Sequence, residues 1–264
     1  MKRYLVRPGQ RVSLASYDAG DTHFVKDRQE AENRLPALRS RLAELQEMLY
    51  ACHDRKLLIV LQGMDTSGKD GTIRHVASAF NLQGTRVVSF KQPTRDDLDH
   101  DFLWRIHRHV PGNGEVVVFN RSHYEDVLVV RVHDLVPKET WKQRYGQINA
   151  FEQLLAATGT VILKFYLHIS KEEQRERLQR RVDDHTKSWK FSEGDLKERE
   201  FWSDYRRAYE EALSKTSTRD APWHIVPANH KWYRDVVVAT IVVDALERLK
   251  LKYPKVKLPQ MHIK

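Results

Sequence analysis

The sequence predicts an α/β protein built on a parallel sheet, and three observations predict it. Short apolar runs recur along the chain with helical stretches between them. Strands alternating with helices give a parallel sheet through right-handed crossovers. The first run, residues 57–61, is continuously apolar, as a strand covered on both faces is. Gly63 follows that run, four residues pass, and Gly68-Lys69 come next, which is the strand–loop–helix context of a phosphate-binding P-loop.

Taken in order, residues 1 to about 27 mix polar positions, glycines and isolated apolar residues, and read as an irregular N-terminal arm. Residues 27–52 read as a helix, because Leu35, Leu38, Leu42, Leu45, Leu49 and Cys52 recur every three or four positions with charges between them. Cys52 continues that stripe and reads as a core residue rather than a nucleophile. The P-loop should open a helix over 69–80. Residues 86–90 form the second strand, and Pro93 marks the turn after it. Residues 96–110 read as one helix, with Leu98, Phe102, Ile106 and Val110 four apart. Pro111-Gly112-Asn113-Gly114 is a turn leading into the third strand, 116–119. Helices follow over 124–132 and 138–157, separated near Pro137. Residues 160–169 are the fourth strand, and Ser170 with Glu173 three residues on has capping-box spacing. Residues 171–190 are dense in charge, 195–214 read as a helix, 223–227 as a short fifth strand and 231–251 as the closing helix. No repeat, low-complexity tract or linker divides the chain, so residues 1–264 read as one domain.

Composition narrows the function classes. The chain is 41% hydrophobic, enough for a sizeable core, and no run of 18 uncharged apolar residues predicts a membrane span. The first residues, Met1 to Pro8, lack the apolar stretch of a signal peptide, and the single cysteine excludes an internal disulfide. A cytoplasmic protein is expected. The net charge of +9 points to a polyanionic partner without choosing among nucleic acid, an acidic membrane surface and phosphate-rich small molecules. Acidic residues interrupt every basic stretch, which argues against a disordered nucleic-acid arm.

Three motifs carry the chemistry. In the P-loop, Gly63, Gly68 and Gly71 let backbone N–H groups converge on phosphate oxygens, with Ser67 and Thr72 beside them. Lys69 places an ammonium on the phosphate being moved. The Ser or Thr that holds Mg²⁺ in ordinary P-loop enzymes is replaced by Asp70, and Thr72 is too far along to stand in. Asp65, inside the loop, is the alternative: it holds a metal directly or through water, orients the attacking phosphate, or only stabilises the turn. The second motif, Asn120-Arg121-Ser122-His123-Tyr124-Glu125-Asp126, follows the third strand at the end that faces the ligand crevice. Arg121 suits phosphate oxygens. Asn120 is a poor carboxylate, whereas Glu125, one turn on, can point back to the crevice; the plainer reading makes Glu125 and Asp126 partners of a helix dipole. The third motif is the charged helix carrying Arg175, Arg177, Arg180 and Arg181, where Arg177 and Arg181 share a face. In kinases of this architecture that region is a lid over phosphates; interleaved glutamates also allow a solvated helix. Arg74, Lys91, Arg105, Arg108 and Arg131 add charge near crevice ends, Pro93-Thr94 is a candidate substrate loop, and the histidines show no metal-ligand spacing.

With these residues in place, the chain resembles the family 2 polyphosphate kinases, which move phosphate between inorganic polyphosphate and nucleotides. The resemblance spans nearly the whole chain. It rests on Gly63-Met64-Asp65-Thr66-Ser67-Gly68-Lys69-Asp70-Gly71-Thr72-Ile73-Arg74, on the Asn120 motif continued to Val132, and on Leu167-His168-Ile169-Ser170-Lys171-Glu172-Glu173-Gln174, with Trp189-Lys190-Phe191 and Ala221-Pro222-Trp223. It implies a thymidylate-kinase-like P-loop kinase fold: a five-stranded parallel sheet flanked by helices, with a helical lid at about 171–195. It further implies dependence on Mg²⁺, with Mn²⁺ as an alternative, and a basic channel for polyphosphate. Some members end strand three with Asp-Arg-Ser; Asn120 with Glu125 looks like the subgroup that accepts AMP as well as ADP. On this reading Asp65, Lys69, Arg121 and Glu125 are catalytic, and Asp65 and Glu125 hold the metal. Arg74, Arg131, Arg177 and Arg181 join the loop residues on the phosphate chain. Pro93, Thr94, Arg105, Asn120, Arg121, Tyr124 and Glu125 contact the nucleotide, which is adenine-based with guanine as an alternative. A dimer or tetramer is expected, with no nucleic-acid or membrane partner. Two other readings stay open: a nucleoside monophosphate kinase that uses ATP, and a non-catalytic nucleic-acid-binding protein with a basic surface.

Overall fold

The computed structural model describes residues 1–190 and 192–255; Phe191 of the quoted motif lies outside them. Five parallel strands form one sheet: β1 (Lys56–Gln62), β2 (Thr85–Ser89), β3 (Val116–Asn120), β4 (Thr160–His168) and β5 (Trp223–Pro227), in the spatial order β2-β3-β1-β4-β5. This is the P-loop kinase-like sheet the sequence predicts. Because every strand is parallel, all five C-terminal ends share one edge. Register then sets the neighbours of the P-loop: Leu61 lies opposite Asn120 on β3, and Gln62 opposite Tyr166 on β4.

The apolar runs are explained by cover on both faces. Leu57, Ile59 and Leu61 join Leu42, Leu45 and Leu49 of α1 (Arg28–Cys52) and Val236, Val237 and Ile241 of α10 (Lys231–Arg248). Leu58 and Val60 face the other way, toward α5 (Glu125–Val132), α6 (Lys138–Ala157) and α9 (Trp202–Thr216). That second face also buries an ion pair. Lys164 Nζ donates to Glu152 Oε2 at 2.6 Å, to the Tyr124 hydroxyl at 2.7 Å and to Thr216 O at 2.7 Å, so the buried ammonium has three acceptors. Among the described residues no helix is long and apolar enough to cross a membrane.

Several boundaries differ from expectation, each for a local reason. The 96–110 stretch is two short helices, α3 (Arg95–Leu98) and α4 (Trp104–His107). Thr94 and Asp97 form a reciprocal capping box that starts α3, and Asp101 Oδ1 accepts from Leu103 N before α4. The supposed stripe is not one face, since Leu98 is exposed and Ile106 buried. The loop helix α2 (Lys69–His75) ends early, and residues 77–79 tighten into a 3₁₀ turn. The 195–214 stretch breaks at Phe201 between α8 (Glu193–Glu200) and α9; there the Phe201 ring packs edge-on against His133. Ser170 caps α7 (Lys171–Asp183) by accepting from Glu173 N, but Asn229 Oδ1, not Glu173, accepts from Ser170 N. Cys52 is half-buried at the end of α1, with Sγ against Lys252 O, rather than in the core.

The N-terminal arm is irregular as expected, yet it is not loose. Tyr4, Val6, Val12, Leu14, Ala19 and Val25 are buried. Val12 N donates to Ser214 Oγ at 2.8 Å, Leu14 N to Glu210 Oε1 at 2.7 Å, and Asn229 N to Ala19 O at 3.1 Å. The segment closes the β4–β5 side of the sheet edge.

Candidate active site

The P-loop runs from the end of β1 into α2. Gly63 has φ +151° and Gly68 φ +107°, a region L residues avoid. A Cβ on Gly63 would also fall 2.7 Å from Ser67 Oγ and 2.8 Å from Leu167 O, so the bend has room for glycine alone. Lys69 folds back over the loop and is buried; its Nζ donates to Gly63 O at 2.8 Å and Met64 O at 3.3 Å. Burial, with the Arg121 charge adding to it, pushes the Lys69 pKa down to about 8 against the pull of Asp65, Glu125 and Asp70. The hydroxyls of Ser67 and Thr72 are buried with no partner among the described residues. Unmet buried donors are uncommon in folded proteins; Ser67 belongs to the loop shaped to meet a phosphate oxygen, whereas Thr72 borders a small apolar pocket with Ile59, Leu61 and Val238.

Arg121 sits directly after β3 in the left-handed region, φ +63°, and its N–H donates to Leu61 O at 3.1 Å. That turn aims the guanidinium across the loop: Nη2 donates to Asp65 Oδ1 at 2.7 Å and Nη1 to Glu125 Oε2 at 3.3 Å. One arginine thus holds the two candidate metal carboxylates together. Asn120 Nδ2 donates to Asp70 Oδ1 at 2.8 Å, joining the two positions that depart from the usual hydroxyl–Asp pair. Among the described residues there is no group of three or more His, Cys, Asp or Glu suited to a metal. Two carboxylates beside a phosphate cradle still fit a hard divalent cation such as Mg²⁺, which keeps waters and takes phosphate oxygens as ligands. They do not fit a closed structural site.

Beside this group lies a cavity of about 660 Å³, lined by Asp65, Lys69, Asn120 and Arg121 on one side and by α7 and α10 side chains on the other. Among the described residues its lining holds ten Lys and Arg against three Asp, which suits a ligand with several negative charges. Arg74, Lys91, Arg180, Arg181 and Lys187 all border it. Arg181 also pairs with Asp195 of α8 at 3.0 Å.

Six residues expected at the site are placed otherwise. Arg177 borders the cavity, but its donors are committed: Nε to Glu173 at 2.7 Å, Nη1 to Thr66 O at 2.9 Å and Ser67 O at 3.2 Å, Nη2 to Ala228 O at 2.5 Å and Asn229 O at 2.8 Å. It braces the P-loop rather than reaching for phosphate. Arg131 lies away from the cavity, pairing with Glu211 at 2.6 Å and packing over Trp141. Arg105 donates to Lys91 O and to Asp126, tying the β2 loop to α5. Tyr124 is in the core with Glu152 and Lys164. Thr94 caps α3, and neither it nor Pro93 borders the cavity. Two residues escaped the sequence reading: Lys231 and Arg234, in the first turn of α10, both border the cavity. The available signal was their place just after β5, at the same sheet edge as the P-loop.

Comparisons with known proteins agree with this geometry. The family model described as Polyphosphate kinase 2 (PPK2) matches residues 25–254. An AMP/ADP-polyphosphate phosphotransferase of Meiothermus ruber is 53% identical, over 97% of this chain and 96% of that protein. An ADP-polyphosphate phosphotransferase of Rhodopseudomonas palustris is 44% identical, over 96% and 92% respectively. The crystal structure of Polyphosphate Kinase 2 from Arthrobacter aurescens TC1 superposes with a TM-score of 0.93 at 46% identity, covering 96% of this chain and 91% of that one.

Proposed function

The chain belongs to the polyphosphate kinase 2 family, and from that premise we propose that it transfers the terminal phosphate of inorganic polyphosphate to AMP and ADP, forming ADP and ATP. One observation carries the reading for this chain: the P-loop with Asp65 and Arg121, the latter held by Glu125 behind it, opens onto a cavity whose lining is dominated by cations. An acceptor phosphate oxygen attacks the terminal phosphorus. A new P–O bond forms, the bridging P–O bond breaks, and the polyphosphate leaves one unit shorter with the electron pair. The acceptor oxygen is ionised at neutral pH, so no general base is required. The task left to the protein is positioning and charge neutralisation.

Lys69 and the loop N–H groups hold the phosphate in flight. Arg121 neutralises its oxygens while fixing Asp65 and Glu125, and Arg180, Arg181, Lys187 and Lys231 meet the rest of the chain. Asp65 and Glu125 would hold a divalent cation, Mg²⁺ foremost and Mn²⁺ as a substitute, which when bound supplies further charge neutralisation on the phosphate oxygens. Asn120 in place of an acid, with Glu125 one turn on, supports AMP as an acceptor besides ADP.

Purified protein with Mg²⁺, polyphosphate and AMP should form ADP and then ATP. Lys69→Ala should lower kcat by roughly 100-fold to 1,000-fold, the scale of losing one buried electrostatic contact to the transition state. No product above the Lys69→Ala level overturns the reading. Fast turnover of ATP and AMP with inert polyphosphate would make the protein a nucleoside monophosphate kinase instead.

A further inference from the structure

Arg234 is almost fully buried, yet it forms part of the cavity wall. Its Nε and Nη2 both donate to Asp235 Oδ1, at 2.8 and 2.7 Å, and Asp235 Oδ2 accepts from His75 Nδ1 at 2.7 Å. The guanidinium is therefore held on one edge. Its other terminal nitrogen, Nη1, has no acceptor among the described residues. Because Arg234 lines the cavity, a ligand oxygen there can reach that nitrogen and form a charge-assisted hydrogen bond with it.

The position of that nitrogen identifies the ligand class. A Cβ built on Gly68 would fall 1.8 Å from Arg234 Nη1, and one built on Gly71 would fall 2.8 Å from Nη2. The guanidinium thus lies in the space two P-loop residues vacate by lacking side chains. Gly71 is the telling case. It is inside α2 with no positive φ, so its backbone does not call for glycine, and glycine in a helix costs about 1 kcal/mol relative to alanine. What calls for it is the room Arg234 occupies.

Topology separates Arg234 from Arg121. Arg121 comes from the end of β3 on one side of β1, whereas Arg234 follows β5 on the other side. Lys231 and Arg180 border the cavity with it. Arg121 already serves the side of Asn120 and Glu125. Building on the function proposed above, we propose that Arg234 is a phosphate-contacting residue for the donor: its Nη1 binds an oxygen of the polyphosphate chain next to the phosphate being transferred. Asp235 and, through it, His75 are positioning residues that lock the guanidinium against the loop. Two separated cations then grip donor and acceptor from opposite sides of the P-loop.

The test reads binding separately from turnover. Tripolyphosphate and AMP are titrated calorimetrically into the wild type, Arg234→Met, Arg234→Lys and Asp235→Asn, and steady-state kinetics follow. Arg234→Met should bind tripolyphosphate about 100-fold more weakly, the scale of one charge-assisted hydrogen bond in a buried site, with AMP affinity within about twofold of wild type. Arg234→Lys, which keeps the charge, should recover part of the loss, and Asp235→Asn should fall between. In turnover the same variants should raise KM for polyphosphate and leave KM for AMP in place. Unchanged tripolyphosphate binding in folded Arg234→Met overturns the proposal, as does a parallel loss of AMP affinity. Should Arg234→Met not fold, the Nε resonance of Arg234 in ¹⁵N-arginine wild-type protein, assigned by its loss in Arg234→Lys, decides. A shift with tripolyphosphate and none with AMP supports the contact, and no shift overturns it. Absent turnover in the wild type would sink the function proposed above while these binding measurements still judge Arg234.

Discussion

Lys69 has its chemistry set by where the chain puts it. Its folded pKa is about 8 against an ordinary 10.5, with burial the leading cause and Arg121 next. The sign of the consequence follows. Below pH 8 the ammonium is charged in both folded and unfolded chains, and the cost of burying it is fully present. Between pH 8 and 10.5 the unfolded chain binds more protons, so this group's penalty is relieved as pH rises. Activity moves the opposite way, because the phosphate needs the charge. kcat/KM for polyphosphate, which reports the free enzyme, should fall above about pH 8. The kcat limb should lie at higher pH, since bound phosphate favours the ammonium. Paired pH–rate profiles check this, and a kcat/KM flat to about pH 10 would contradict it. Asp65 and Lys69 were legible at the loop from spacing along the chain, and Arg121 and Glu125 from the expectation that parallel strands end at one edge, which the β1–β3 register realises. The partners that Arg177, Arg131, Tyr124 and Thr94 make were not legible in the sequence, for a common reason. A sequence gives the residue type and its element, but not what the far end of a side chain meets. The partners of Arg177 range from 4 to 111 residues away along the chain.

At the scale of elements, α7 is the part whose role the structure revises most. Its first two turns are bolted to the P-loop rather than poised above it. Gln174 Nε2 donates to Asp65 O at 3.0 Å, Arg199 of α8 donates to Gln174 Oε1 at 2.8 Å, and Arg177 ties the loop carbonyls to the turn after β5. Only the later part, with Arg180 and Arg181, is placed to act as a lid. Removing Arg177 leaves the carbonyl oxygens of Thr66, Ser67, Ala228 and Asn229 without that donor, while Glu173 keeps Arg180, so Arg177→Met should cost about 3 kcal/mol, the low end for breaking a buried charged network. At this chain size that is a fall in Tm of roughly 6–12 °C. Were Arg177 instead a phosphate ligand, the variant would keep its Tm and lose polyphosphate affinity; thermal unfolding beside tripolyphosphate titration separates the two. The strands were easier to read than the helices. A continuous apolar run has one explanation in a doubly covered sheet, and all five strands lie where expected. The 96–110 and 195–214 helices failed because a stripe of apolar residues does not register a capping box at Thr94 or an aromatic contact at Phe201.

Across the whole molecule, the question is where the excess positive charge resides. Along α1 the charges are largely answered locally: Arg28 pairs with Glu32, Arg34 with Glu30, and Arg41 with Glu44 and Glu247. Among the described residues the cavity lining gathers ten cations against three acids, an excess that accounts for much of the chain's net charge of +9, although acids outside the lining such as Glu125, Glu173, Asp184 and Asp235 pair with several of those cations. A field concentrated in one cleft acts most on the ligand with the most charge. Polyphosphate carries about one negative charge per unit, whereas AMP brings one phosphate group, so screening at a Debye length of about 10 Å in 0.1 M salt weakens the two unequally. Raising KCl from about 50 to 400 mM should increase KM for long-chain polyphosphate steeply and KM for AMP only slightly. The slope of log KM against log salt should also grow with polyphosphate length until the chain outruns the cavity, since each added unit inside it displaces further counterions. Equal salt slopes for polyphosphate and AMP would mean that the clustered cations answer one another and the nearby acids rather than the donor. A slope independent of chain length would confine the grip to the P-loop itself.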